Sequence, residues 1–204
     1  MSNKPIILVN HLLEPPNQIS GITRYLFALL KQLVLSSNYR YVLATTWSLA
    51  DLPASLRDVS VAVTTLPFHR SMPINVLSQM ATVPWLMRET GAVLEFNCNP
   101  TGCFRADWPR VITVHDLYFD TLPSFYTSRH RLWWRLFFPL SLRSASAVIC
   151  VSANTRRDLK KRYPDSRDKL VVVYEAGVVN GDASVRPSTI GLFEAPYGLY
   201  VGNV

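Results

Sequence analysis

Short apolar runs rich in β-branched residues alternate with longer stretches of helical spacing along most of this chain. Ile6 to Val9 is one such run. Ile22, Tyr25, Leu26, Leu29, Leu30 and Leu33 then recur three and four positions apart, which predicts a buried strand followed by an amphipathic helix with Ser20 as its N-cap. Tyr41 to Thr45 and Val59 to Thr64 read as further strands, with room for one helical turn between them. Pro73 and Pro84 divide the next stretch into two short predicted helices, because each proline removes a helix donor and disfavours helix at the residue before it. The strand Ala92 to Phe96 follows, and then a loop to Trp108, rich in Asn, Pro, Gly and Cys and expected to be exposed. Val111 to Val114, Val148 to Val151 and Lys169 to Tyr174 complete the strands, the first two each followed by helical sequence. The alternation predicts an α/β domain built on a parallel sheet flanked by helices.

Beyond Tyr174 the pattern changes. Gly177, Asn180, Gly181 and Pro187 mark an irregular stretch, and Leu199, Tyr200 and Val201 read as one more strand. The predicted division is a domain over residues 1–178, a linker over 179–197, and the first strand of a second domain over 198–204. A chain of 204 residues suffices for one well-buried α/β domain and falls short of two.

Charge adds a second feature. Thr121 to Arg162 holds nine basic residues against Asp158 alone, which outweighs the +7 excess of the whole chain. Arg129, Arg131 and Arg135 lie beside Trp133 and Trp134, so an anionic membrane surface is one reading and a solvated basic face the other. Nucleic acid is not expected, since no recognition-helix, zinc-finger or RNP pattern accompanies the charge. The apolar stretch Leu132 to Leu142 is interrupted by Arg135 and Pro139 and is far shorter than the ~20 residues a spanning helix needs. The opening apolar run is too short for a signal-peptide core, and the odd set Cys98, Cys103 and Cys150 fits reduced thiols, so a cytoplasmic protein is predicted. Cys98 and Cys103 lack the second pair that a structural zinc site needs, and neither a metal nor another cofactor is expected.

In an open parallel sheet, ligands bind beyond the carboxyl ends of the strands. That rule directs attention to the loops after Val9, Val114 and Val151. Ser20-Gly21 opens a helix whose free N–H groups suit a phosphate, or it is an ordinary cap and turn. His115 can donate to a hydroxyl or anion or move a proton near neutral pH, or bond to backbone as a structural residue. Asp116 is either a base or a cap, and Ser152 with Asn154 either caps the helix through Arg156 or lines a site.

Ile19-Ser-Gly-Ile-Thr-Arg-Tyr25, Val111-Ile-Thr-Val-His-Asp-Leu117, Val148-Ile-Cys-Val-Ser-Ala-Asn-Thr-Arg-Arg-Asp-Leu159, Lys169-Leu-Val-Val-Val173 and Tyr197-Gly-Leu-Tyr-Val-Gly-Asn203 resemble, in order, the amino-terminal half of family 4 glycosyltransferases. The resemblance implies a GT-B fold of two Rossmann-like domains facing a cleft, this one holding mainly the acceptor and the next mainly the nucleotide-sugar. It implies Ser20, Gly21 and Gly202 near the donor diphosphate, His115 near the transferred sugar, and Asp116, Ser152 and Arg156 on the side of a glycan or lipid-linked acceptor. It also implies retention of configuration without a required metal. Two departures stand out: Ser20-Gly21 replaces the family's frequent glycine pair, and the family's carboxyl-terminal Arg/Lys pair and Glu-rich donor motif do not fall within these 204 residues. The isolated chain is therefore expected to be inactive. The competing reading is a non-catalytic Rossmann-like binding module.

Overall fold

A computed structural model describes residues 4–36, 38–57, 61–69, 71–104 and 107–175. Its seven strands are β1 (Ile6–His11), β2 (Arg40–Thr45), β3 (Val61–Thr65), β4 (Ala92–Asn97), β5 (Arg110–Val114), β6 (Ala147–Cys150) and β7 (Leu170–Val172). Helices α1 (Gly21–Ser36), α2 (Ala54–Arg57), α3 (Met72–Thr90), α4 (Tyr118–Thr121), α5 (Ser128–Ser144) and α6 (Ala153–Arg162) connect them. The strands form one parallel sheet in the order β3-β2-β1-β4-β5-β6-β7. The chain runs outward from β1 to β3, then returns to the other side of β1 as β4. That reversal is a topological switch point, where the loops leaving β1 and β4 diverge and open a crevice.

Three apolar clusters hold the layers. Val9, Leu43 and Phe96 of the sheet pack with Leu26, Phe27 and Leu30 of α1. Leu8 and Ala44 pack with Val83, Leu86 and Met87 of α3. Ile112, Val114 and Val148 pack with Phe138 and Leu142 of α5 and Leu159 of α6. Continuous apolar runs such as Val111-Ile-Thr-Val114 are what strands covered on both faces require.

The expectation of two short helices before Ala92, divided by Pro73 and Pro84, is overturned by α3, a single 19-residue helix with Pro73 in its first turn and Pro84 inside. Pro73 sits where helix N–H groups have no partner anyway. Pro84 costs one internal bond, but Val76, Val83, Leu86 and Met87 line one buried face across it and hold both halves to the sheet. The helix ends at Gly91 with φ 64°, whose N–H reaches the carbonyls of Met87 and Arg88. A Cβ there meets nothing within 4 Å, so Gly91→Ala should cost only the left-handed backbone strain, about 1 kcal/mol, read as a lower urea midpoint with an unchanged slope.

The loop after β4 is also corrected: Cys98, Asn99, Thr101 and Cys103 are buried rather than exposed. Side chains satisfy its backbone, which is the condition for burying a loop. Asn97 Nδ2 donates to the Thr101 carbonyl at 2.9 Å, and Asn97 Oδ1 accepts from the Asn99 N–H at 2.8 Å. Cys98 and Cys103 pack into different clusters, which separates the two thiols. A 3-10 turn (Pro164–Lys169) delays the last strand, which spans Leu170–Val172 rather than Lys169 to Tyr174. On α5, Arg131 is half-buried with Nη2 donating to Ser128 Oγ at 3.4 Å, and Trp134 stacks on Phe119 at 4.8 Å. Neither belongs to the outward side of that helix. The expected linker over 179–197, the strand over 198–204 and Gly202 lie outside the described residues.

Candidate functional site

The switch-point crevice is floored by the ends of β1, β4 and β5. Ser20 caps α1 as its sequence suggests: its Oγ accepts the Thr23 N–H at 3.0 Å and its carbonyl accepts the Arg24 N–H at 3.0 Å. Gly21 is exposed, and a Cβ built on it would meet nothing within 4 Å, so the first turn of α1 is open to a ligand. Sequence reasoning did not single out Glu14, which is buried under this turn. Its carboxylate accepts from Ser20 Oγ at 2.5 Å, Thr23 Oγ1 at 3.4 Å and Asn99 Nδ2 at 3.4 Å. A negative charge at a helix N-terminus is electrostatically favourable and here steadies the loop from residue 12 to residue 20.

Below it lies His11, fully buried. Nδ1 is 2.9 Å from Thr45 Oγ1 and Nε2 is 3.2 Å from Thr23 Oγ1. If Thr23 donates to Glu14, Nε2–H must donate to Thr23, and in a neutral ring Nδ1 then accepts from the Thr45 hydroxyl. Burial agrees, lowering the His11 pKa to about 4.

His115 stands at the carboxyl end of β5. Nε2 is 3.1 Å from the Cys98 carbonyl, which only accepts, so that nitrogen carries a proton. Nδ1 is 2.9 Å from Glu175 Oε1, and Tyr25 of α1 meets the ring edge-on at 5.2 Å. Burial raises the pKa of the Tyr25 phenol, opposed by a nearby Thr113 hydroxyl. With 19 % of its side chain exposed, His115 is held on three sides and open on one. The neighbouring residues Cys98 and Asn99 thus touch both halves of the crevice, one through His115 and the other through Glu14.

The remaining predicted residues divide by role. Asp116 Oδ1 accepts the Tyr118 N–H at 2.9 Å, and Ser152 Oγ accepts the Thr155 N–H at 3.0 Å. Ser152 is the N-cap of α6, whereas the N-cap of α4 is Leu117 and Asp116 closes a turn just before it. Thr155 Oγ1 donates to the His115 carbonyl at 3.0 Å, tying the start of α6 to β5. Arg156, one residue on, is half-buried, and its Nε lacks a hydrogen-bond partner among the described residues. Its positive charge opposes the burial that pushes the Cys150 thiol up to about 11. A separate cleft of about 310 Å³ lies at the opposite end of β6 and β7. Of the cations lining it, Arg162 is engaged by Asp120 at 3.1 Å and Lys169 by the Arg143 carbonyl at 2.9 Å.

The family model for Glycosyltransferase Family 4 matches residues 19–176, which contain Ser20, Gly21, His115, Asp116, Ser152 and Arg156. The chain belongs to glycosyltransferase family 4. None of the curated proteins matches it. Among solved structures it is similar to a glycosyltransferase from Rickettsia africae, with 14 % identity and a TM-score of 0.52 over 84 % of this chain and 43 % of that one. Anabaena HepE, solved with UDP and glucose, shows 18 % identity and a TM-score of 0.51 over 87 % and 46 %. The lipopolysaccharide outer core galactosyltransferase WaaB shows 10 % identity and a TM-score of 0.50 over 83 % and 45 %. This family 4 chain spans less than half the length of each, and shares with them the Rossmann-like half of the GT-B fold.

Within this family 4 domain, the contacts that sequence reasoning missed join distant positions. Glu175 lies 60 residues from His115, and Asn99 lies 85 residues from Glu14. The one local signal was a glutamate shortly before a predicted N-cap serine.

Proposed function

We propose that this chain is the acceptor-side domain of a retaining glycosyltransferase of hexosyltransferase type. It moves a sugar from a nucleotide-sugar to a glycan or lipid-linked acceptor in polysaccharide or glycolipid synthesis. The observation that carries the reading is the placement of His115, fixed at the β5 end by Cys98, Glu175 and Tyr25, in the same crevice as the open first turn of α1. Sugar transfer passes through an oxocarbenium-like state while negative charge builds on the departing diphosphate. The N–H groups of Gly21 and its neighbours suit that charge, and Gly21 leaves room for close approach. His115 presents its open side to the transferred sugar, and Arg156, with Asp116 and Ser152 at the two strand ends, borders the acceptor. The UDP and glucose held by HepE support a nucleotide-sugar donor. Most of the donor site would come from a second domain, with 179–197 as the linker and Gly202 at its first strand, so the isolated chain should fold yet transfer no sugar. A lipid-linked acceptor would bring the enzyme to the cytoplasmic face of a membrane.

The test uses the intact protein with a panel of nucleotide-sugars. His115→Ala should lower kcat by roughly a hundredfold or more, while the urea midpoint stays near that of the parent. An unchanged kcat with every donor used would remove His115 from the mechanism. Donor binding without any turnover in the parent would instead indicate a non-catalytic binding module.

A further inference from the structure

Two helices turn apolar side chains away from the core. On α5, Leu132, Leu136 and Leu140 are 59, 56 and 41 % exposed, while Phe138, Ser141 and Leu142 face inward. At 100° per residue the three leucines, Arg129 and Arg143 fall within roughly 80° of one another, an apolar stripe with a cation at each end. On α3, Ile74, Leu77 and Trp85 are about half exposed, opposite the buried Val76, Val83 and Leu86.

Both helices cover the same face of the sheet. Arg110 donates to Ser141 and Ser144 of α5, and a Cβ on Gly102 would stand 3.1 Å from Arg110 Nη2 and 3.0 Å from Gln79 Oε1 of α3. Their outward sides therefore point the same way. Arg88, Arg129 and Arg143 are exposed on them, α5 contains no acid, and α3 has only Glu89.

We propose that this two-helix face rests on an anionic phospholipid bilayer. Leu77, Trp85, Leu132, Leu136 and Leu140 enter the interface, and the arginines pair with headgroup phosphates while their stems lie along it. The charge decides the occupant. A second copy docking through the same face would set arginines against arginines, a like-charge arrangement that interfaces avoid. The proposal rests on the membrane-bound acceptor of the preceding reading, but its test is blind to catalysis, so either can fail alone.

The 204-residue chain is sedimented with vesicles of phosphatidylcholine, alone and mixed with phosphatidylglycerol. Binding should require the anionic lipid and weaken as salt rises. Replacing Arg88, Arg129 and Arg143 together with glutamine should lower the partition coefficient about a hundredfold. Leu136→Gln and Leu140→Gln should each lower it about tenfold, with circular dichroism and the urea midpoint unchanged because these positions are exposed. Tryptophan fluorescence should shift to the blue on binding, and the shift should shrink in Trp85→Phe. Equal recovery on neutral and anionic vesicles, or no effect of the arginine substitutions, would overturn the proposal. So would sedimentation equilibrium showing a dimer that the leucine substitutions dissolve, without vesicle binding.

Discussion

Glu95→Ala should destabilise the fold by about 3–5 kcal/mol, the largest single effect expected of any substitution here. Glu95 Oε2 lies 3.4 Å from Arg110 Nε, and both side chains are fully buried. The carboxylate also accepts from Asn10 Nδ2 at 2.9 Å and Trp108 Nε1 at 3.3 Å. Burial lowers the pKa of Arg110, and the neighbouring Glu95 charge opposes it. Removing that charge leaves a guanidinium in the interior whose hydrogen bonds to Ser141 and Ser144 are to neutral hydroxyls. Replacing both partners is the informative control. Glu95→Leu combined with Arg110→Met should recover part of the loss, because the unpaired charge is gone while Asn10 Nδ2 and Trp108 Nε1 still lack the carboxylate acceptor. Urea unfolding of the three variants decides it, and a single-variant loss under 1 kcal/mol would show that water or rearrangement already relieves the pair.

Acid should weaken the protein through His11. An unfolded histidine takes up a proton as pH falls through about 6.5, whereas the buried ring resists until about 4. In that window the unfolded state binds more protons, so stability falls as pH falls. The contribution is fully present above pH 6.5, has dropped by roughly 2 kcal/mol at pH 5, and is lost by about 4, a total of roughly 3 kcal/mol. His11→Gln retains a polar group between Thr23 and Thr45 but does not titrate. Its unfolding free energy should change less between pH 7.5 and 5 than the parent's. Parallel pH profiles for the two proteins would assign the acid sensitivity to other groups.

The sheet was largely legible because strands covered on both faces are written as unbroken apolar runs, as in Ile6 to Val9 and Val111 to Val114. His115 was legible too, as a polar residue directly after such a run. Glu95 and Arg110 were not: each is a charge within or beside an apolar strand, and only the register that sets Glu95 against Arg110 explains both. Pro84 misled because a proline's local cost is visible in sequence, whereas the burial of Val76, Val83 and Leu86 that outweighs it is tertiary. The β4–β5 loop looked exposed from composition, since Asn, Gly and Cys carry no sign of the side-chain bonds from Asn97 that allow its burial. On α5 the sequence showed a basic, aromatic segment but not its orientation. Packing of Trp134 on Phe119 directs the helix so that Leu132, Leu136 and Leu140 face outward.

The order of the strands also sets a timetable for synthesis. β1 lies inside the sheet, but of its two neighbours only β2 follows soon; Asn97, the partner of Asn10, is made some ninety residues later. At ribosomal rates of ~5–20 residues per second, that gap is on the order of ten seconds. During it the nascent chain carries a hydrophobic strand with one hydrogen-bonding edge unfilled, open to pairing with other chains. The edge closes only when β4 emerges, so the centre of the finished sheet is among the last parts of its first half to be protected.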